Sequence, residues 1–129
     1  MERQERIAEL FKSVSADGAL QGLADLIELC GLIEEDKGWR EPPQSFGEFI
    51  ALCHSELSEA LEDYRAGHPE SVDRVRDDGK LEGIPSELAD VLIRIFSRCQ
   101  MQSIDLGRAL QQKAAYNVTR SHRHGGKVF

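Results

Sequence analysis

The stretch Ser45–Arg65, SFGEFIALCHSELSEALEDYR, decides how this chain is read. At about 100° per residue, Phe46, Phe49, Cys53, Leu57, Ala60 and Tyr64 form one apolar stripe of a helix. Glu56, Glu59 and Asp63 run along the margin of that stripe, and Glu62 faces away. Side chains three apart on a helix have Cβ atoms about 5–6 Å from each other, so Glu56 and Glu59 can share one cation at the edge of a core. The start of the helix is marked by Ser45 with Glu48 three residues on, the pattern of a capping box.

Upstream, Gly38–Gln44 reads as a connection, because Pro42-Pro43 cannot continue a helix and restricts the residue before it. Trp39, the one Trp of the chain, sits in that connection, either as a packing anchor or as a surface on which a flat ligand stacks. Before it, residues from Ala19 to about Lys37 predict a helix with Leu20, Leu23, Ala24, Ile27 and Gly31 inward and Glu34 at the end of the stripe. Ile7, Leu10, Phe11 and Val14 predict a first amphipathic helix from about Glu2 to Val14, ended by Asp17-Gly18.

Downstream of Arg65 lies AGHPESVDRVRDDGKLEGI, which has no sustained period. A connection of that length in a small domain is a lid, a clasping arm, a plain loop or the carrier of a short helix, with turns at Asp77-Asp78-Gly79 and Glu82-Gly83. Pro85 opens the next helix. Its apolar residues, Leu88 to Cys99, cover more than half its circumference and predict burial on more than one side, leaving a strip of Glu87, Asp90, Arg94 and Arg98. A last helix starts after the N-cap Asp105 and runs to about Arg120. Its inner face of Leu106, Ala109 and Leu110 is continued by the polar Lys113, Asn117 and Arg120.

These elements fit one all-α domain of 129 residues, 40% hydrophobic and 30% charged, with a helical extension over 1–17 and a basic tail over 121–129. No apolar run approaches the roughly 20 residues of a membrane span, and the first residues lack a signal-peptide core, so a cytoplasmic protein with no membrane partner is expected. A net charge of −7 argues against nucleic acid as a partner. Cys30, Cys53 and Cys99, odd in number and set among apolar residues, read as reduced packing cysteines.

Two acidic pairs at i, i+3 spacing, Glu56/Glu59 and Glu87/Asp90, stand on separate helices. Number alone does not single them out, since random placement of 23 acidic residues gives about four such pairs and the chain has six. Their setting does, because each borders an apolar stripe, where a charge requires a partner. For Asp90 the ordinary partner is Arg94 one turn on. The alternative is that all four carboxylates meet and hold a hard divalent cation, Mg²⁺ first and Mn²⁺ as a substitute. A Glu-x-x-His repeat of the di-iron kind is absent, as is a Walker-type loop. Lys113, Asn117, Arg120 and a tail containing His124 and Lys127 are the complement a phosphorylated ligand needs.

The order Glu56-x-x-Glu59, Glu87-x-x-Asp90, Lys113-x-x-Tyr116-Asn117-x-x-Arg120 and Arg123-His124-Gly125-Gly126-Lys127 resembles the MazG-like family of all-α nucleoside triphosphate pyrophosphohydrolases, over about Leu20 to Lys127. The resemblance implies a four- to five-helix bundle completed as a homodimer or homotetramer. It also implies Mg²⁺-dependent cleavage of a nucleoside triphosphate between the α and β phosphates, giving a monophosphate and pyrophosphate in a house-cleaning role. Glu56, Glu59, Glu87 and Asp90 are then the metal ligands. Lys113, Asn117, Arg120, His124 and Lys127 grip phosphate or ribose, and Trp39 and Phe46 flank the base. Where many relatives carry a further Glu before the first motif, this chain has His54-Ser55. Asp63, His54 and metal-activated water therefore stand as alternative bases. The rival expectations are a helical protein that senses a nucleotide without cleaving it, and a structural dimerisation module.

Overall fold

A computed structural model describes residues 2–122 of the chain. It is mainly helical, with α1 over Glu2–Ser15, α2 over Gln21–Asp36, α3 over Phe46–Arg65, α4 over Ile84–Gln102 and α5 over Leu106–Thr119. The helix ends fall where local chemistry puts them. Ser45 Oγ accepts the Glu48 N–H at 3.1 Å, and the Asp105 carboxylate accepts the Arg108 N–H at 3.1 Å, so two otherwise orphaned donors are satisfied. α4 ends on Ser103 in the left-handed region, φ 54°, and the Ile104 N–H returns to Cys99 O at 2.9 Å.

Residues 66–84, expected as an unstructured connection or a short helix, instead hold a small antiparallel hairpin. Its strands are β1, Arg74–Val75, and β2, Leu81–Glu82, with Arg74 opposite Glu82 and Val75 opposite Leu81. Asp77-Asp78-Gly79 forms its turn, with Gly79 at φ 86°. The hairpin is tied down to both flanking helices. Arg74 donates to Asp63 on α3 at 3.3 Å, and Asp73 Oδ1 accepts the Ser86 N–H in the first turn of α4 at 3.0 Å. Asp73 thus caps α4 from a distance, because the local N-cap, Gly83, has no side chain. Gly83 itself is favoured on steric grounds: its φ is 143°, and a Cβ there would lie 2.9 Å from Asp73 Cα.

The chain divides into two compact units, one from its two ends, up to Asp25 and from Asp105, the other Leu26–Ile104. In the second unit α3 packs on α4, with Phe49, Cys53 and Ala60 of α3 and Ile84, Ser97 and Cys99 of α4 buried. α2 approaches closely at Gly31, where a Cβ would collide with the Gln100 side chain. In the first unit α1 lies against α5, and Gln111 Nε2 donates to Val14 O at 2.6 Å.

Three face assignments need correction. On α3 the inward stripe is Phe49, Cys53, Glu56, Ala60 and Asp63, while Phe46, Leu57 and Tyr64 are exposed. Glu56 therefore lies on the packed face and not on its margin. α4 is not buried all round, since Leu88, Leu92 and Ile93 are exposed in the single chain. On α5 the half-buried positions are Leu106, Gly107, Gln111 and Ala114, whereas Ala109, Leu110, Lys113, Asn117 and Arg120 are exposed. The three cysteines are free, Cys53 and Cys99 buried and Cys30 half-buried, and burial pushes all three thiols up.

Candidate metal centre

Glu56 on α3 and Glu87 and Asp90 on α4 each offer an oxygen within 4.8 Å of the other two. The i, i+3 spacing stacks Glu87 and Asp90 on one side of α4, and the α3–α4 packing brings Glu56 across to them. Asp90 does not pair with Arg94 as its i, i+4 neighbour. Arg94 reaches over to α3 instead, and its Nε and Nη2 donate to Glu56 Oε1 at 3.0 and 2.8 Å. Glu59 lies outside the triplet and is exposed, yet its nearby carboxylate and charge help to push Glu87 up.

The electrostatics differ sharply among these acids. Burial raises the Glu87 carboxyl, and contacts with the carboxyls and charges of Glu56 and Glu59 add to it, taking it to about 8. Burial and the charge of Glu56 push Asp90 up as well, against the pull of Arg94. For Glu56 burial acts in the same sense, but the Arg94 hydrogen bonds, with the carboxyls of Glu87 and Glu59, outweigh it and hold the group below the ordinary range.

Glu87 Oε2 carries the sharper message, because it is closed to solvent and no protein donor meets it. The neighbouring groups that push this carboxyl up are themselves carboxylates, Glu56 and Glu59. Like charges at that separation require a proton or a cation between them. An all-oxygen donor set is the kind that hard divalent ions take, so these residues fit such an ion.

The other candidate residues fall in separate places. Asp63 is held by Arg74, which also lies 4.0 Å from Glu82, so it belongs to the anchor of the hairpin. Trp39 is 63% exposed and is not a packing anchor. It lines a narrow cleft with Glu34, Arg40, Phe49, Arg94 and Arg98. Arg40 pairs with Glu34 at 3.4 Å and also donates to Gln100 Oε1. The Arg98 guanidinium lies 5.9 Å from the Phe46 ring and 5.5 Å from the Phe49 ring, so Phe46 flanks this cleft through Arg98. Lys113 and Arg120 belong to the other unit, each 5.7 Å from the Tyr116 ring centre, and Asn117 lines a groove there with Ile7, Phe11 and Val118. His124 and Lys127 lie outside the described residues.

Sequence reasoning gave Arg94 only a local partner and overlooked Arg40 and Arg74. For Arg94 a signal existed, since it stands on the same strip of α4 as Glu87 and Asp90. No family model matches the chain, and neither the curated proteins nor the solved structures return a significant match.

Proposed function

We propose that the chain is a Mg²⁺-dependent nucleoside triphosphate pyrophosphohydrolase, of the class its motifs resemble, cleaving the α–β phosphoanhydride to give a nucleoside monophosphate and pyrophosphate. The observation that carries this reading is the approach of Glu56, Glu87 and Asp90 to within 4.8 Å across two helices, with the donorless Glu87 Oε2 among them. Glu56, Glu87 and Asp90 hold the cation, and Glu59 stands beside them as a fourth carboxylate. When bound, Mg²⁺ or Mn²⁺ supplies a Lewis acid that neutralises triphosphate charge and lowers the pKa of the attacking water.

The chain's own groups do the rest. Glu59, exposed next to Glu87, takes the proton of the water on its carboxylate, a role for which Asp63 is already committed to Arg74. Lys113, Asn117 and Arg120, with His124 and Lys127 of the tail, bind phosphate or ribose, from the same or a second subunit. Trp39 and Phe46 flank the base. A homodimer or homotetramer is supported by the apolar side chains left exposed on the packed unit, Leu57, Leu61 and Tyr64 on α3 and Leu88 and Leu92 on α4. Among the described residues no helix is long and apolar enough to cross a membrane.

The test is pyrophosphate release from a panel of ribo- and deoxyribonucleoside triphosphates with Mg²⁺. Release that disappears in Glu87→Gln is expected. Nucleotide binding without release favours a sensor, and neither binding nor release sinks both readings in favour of a structural module.

A further inference from the structure

We propose that Arg94 is a positioning residue for the metal centre, one that fixes Glu56 as a ligand through a single oxygen. The inference rests on the reading of Glu56, Glu87 and Asp90 as cation ligands. Its own basis is geometric. Both guanidinium donors of Arg94 fall on one atom, Glu56 Oε1, at 3.0 and 2.8 Å. Oε2 is left without an arginine partner, so the carboxylate is divided between one oxygen that is anchored and one that is available.

Burial shows that this is not an ordinary surface ion pair. The Glu56 side chain is 12% exposed and that of Arg94 33%, whereas the surface pairs Arg6–Glu9 and Arg65–Glu62 are about two-thirds exposed or more. A glutamate has three rotatable bonds, and a half-buried one among repelling carboxylates has reason to turn away from them. Arg94 removes that freedom and places one positive charge against a group of four acids. Among the described residues it is the one cation within ion-pair distance of Glu56, Glu59, Glu87 or Asp90.

Partners of this kind orient metal-binding side chains in general, and their loss typically costs roughly 10- to 100-fold in metal affinity. Arg94 also lines the cleft with Trp39 and Arg98. The side chain that holds Glu56 is therefore also part of the cleft wall.

The experiment is a titration of the full-length protein with Mn²⁺ alone, monitored by the manganese electron paramagnetic resonance signal and by calorimetry. Wild type is compared with Arg94→Met and Arg94→Lys, and the helical circular dichroism of each confirms that it folds. The expected result is a loss of affinity of about tenfold or more in Arg94→Met, partly restored in Arg94→Lys, which keeps the charge but not the paired donors. Arg94→Lys, the milder change, carries the test if Arg94→Met does not fold. Unchanged affinity with a merely lowered melting temperature overturns the positioning role while leaving the metal centre in place. Tighter binding in Arg94→Met also overturns it, by showing that Arg94 competes with the cation. If wild type itself binds no Mn²⁺, the metal centre falls and this inference with it.

Discussion

Two carboxylate–arginine contacts, two turns apart, tie helix α3 to other elements, and they are not alike. At Asp63 the acid meets Arg74 at 3.3 Å, the same guanidinium nitrogen lies 4.0 Å from Glu82, and the contact pins a hairpin to a helix. At Glu56 the acid meets Arg94 at 2.8 Å, but Glu87 and Asp90 stand within 4.8 Å as well. The first is a latch in which a second arginine, Arg76, also meets Glu82, at 3.4 Å. The other leaves more negative groups than positive ones, and that surplus is what a divalent cation can satisfy. The lesson concerns counting: an acidic residue becomes a candidate ligand when the cations around it are too few.

Substitutions on either side of this contrast measure it. The largest effect is expected at the crowded end, where Glu56→Gln or Glu87→Gln lowers Mg²⁺-dependent pyrophosphate release at least about 100-fold. Equal loss in Asp63→Asn, with the fold intact, would erase the distinction between site and latch.

Next comes pH. The Glu87 carboxyl, at about 8 without metal, must lose a proton for the cation to bind. Mn²⁺ affinity is therefore expected to climb about tenfold per pH unit up to about 8 and then level off, with proton release visible by calorimetry in buffers of different ionisation enthalpy. The same proton bears on stability. Unfolding returns Glu87 to its ordinary 4.5, so between that value and about 8 the folded state binds more protons than the unfolded one. Stability of the metal-free protein then falls as pH rises through that window. Glu87→Gln is expected to flatten this slope in melting temperature against pH.

At the latch the effects are smaller and fall on the fold. Gly83→Ala, with φ at 143° and Asp73 in the way, is expected to cost about 1–3 kcal/mol in denaturant unfolding. Asp63→Asn is expected to cost about 1 kcal/mol or less and to change metal affinity little.

The helices were legible because their signals are local. Ser45, Asp105 and the Pro42-Pro43 pair act within one turn of themselves, and the expected ends lie within two residues of those observed. Orientation was less legible. α3 has a second apolar stripe, Ile50, Leu57, Leu61 and Tyr64, beside the one that packs, and periodicity does not say which of two greasy faces a neighbour will cover. The partner that selects Phe49, Cys53 and Glu56 is α4, more than thirty residues on. Arg94 was paired with Asp90 for the same reason, since the i, i+4 rule sees only one helix and the bond to Glu56 spans two. The turn of the hairpin, Asp77-Asp78-Gly79, was legible, but its strands left no trace because each has two residues, too few to show alternation.

The hairpin's two fastenings, Arg74 to Asp63 and Asp73 to Ser86, lie next to each other in sequence and both precede the turn. Beyond them, the segment out to Asp77-Asp78-Gly79 is exposed chain hung from a fixed base. That tip is where a fluorophore, a protease site or an inserted peptide leaves Glu87 standing where it is, and it offers a handle for reporting on the protein without disturbing its chemistry.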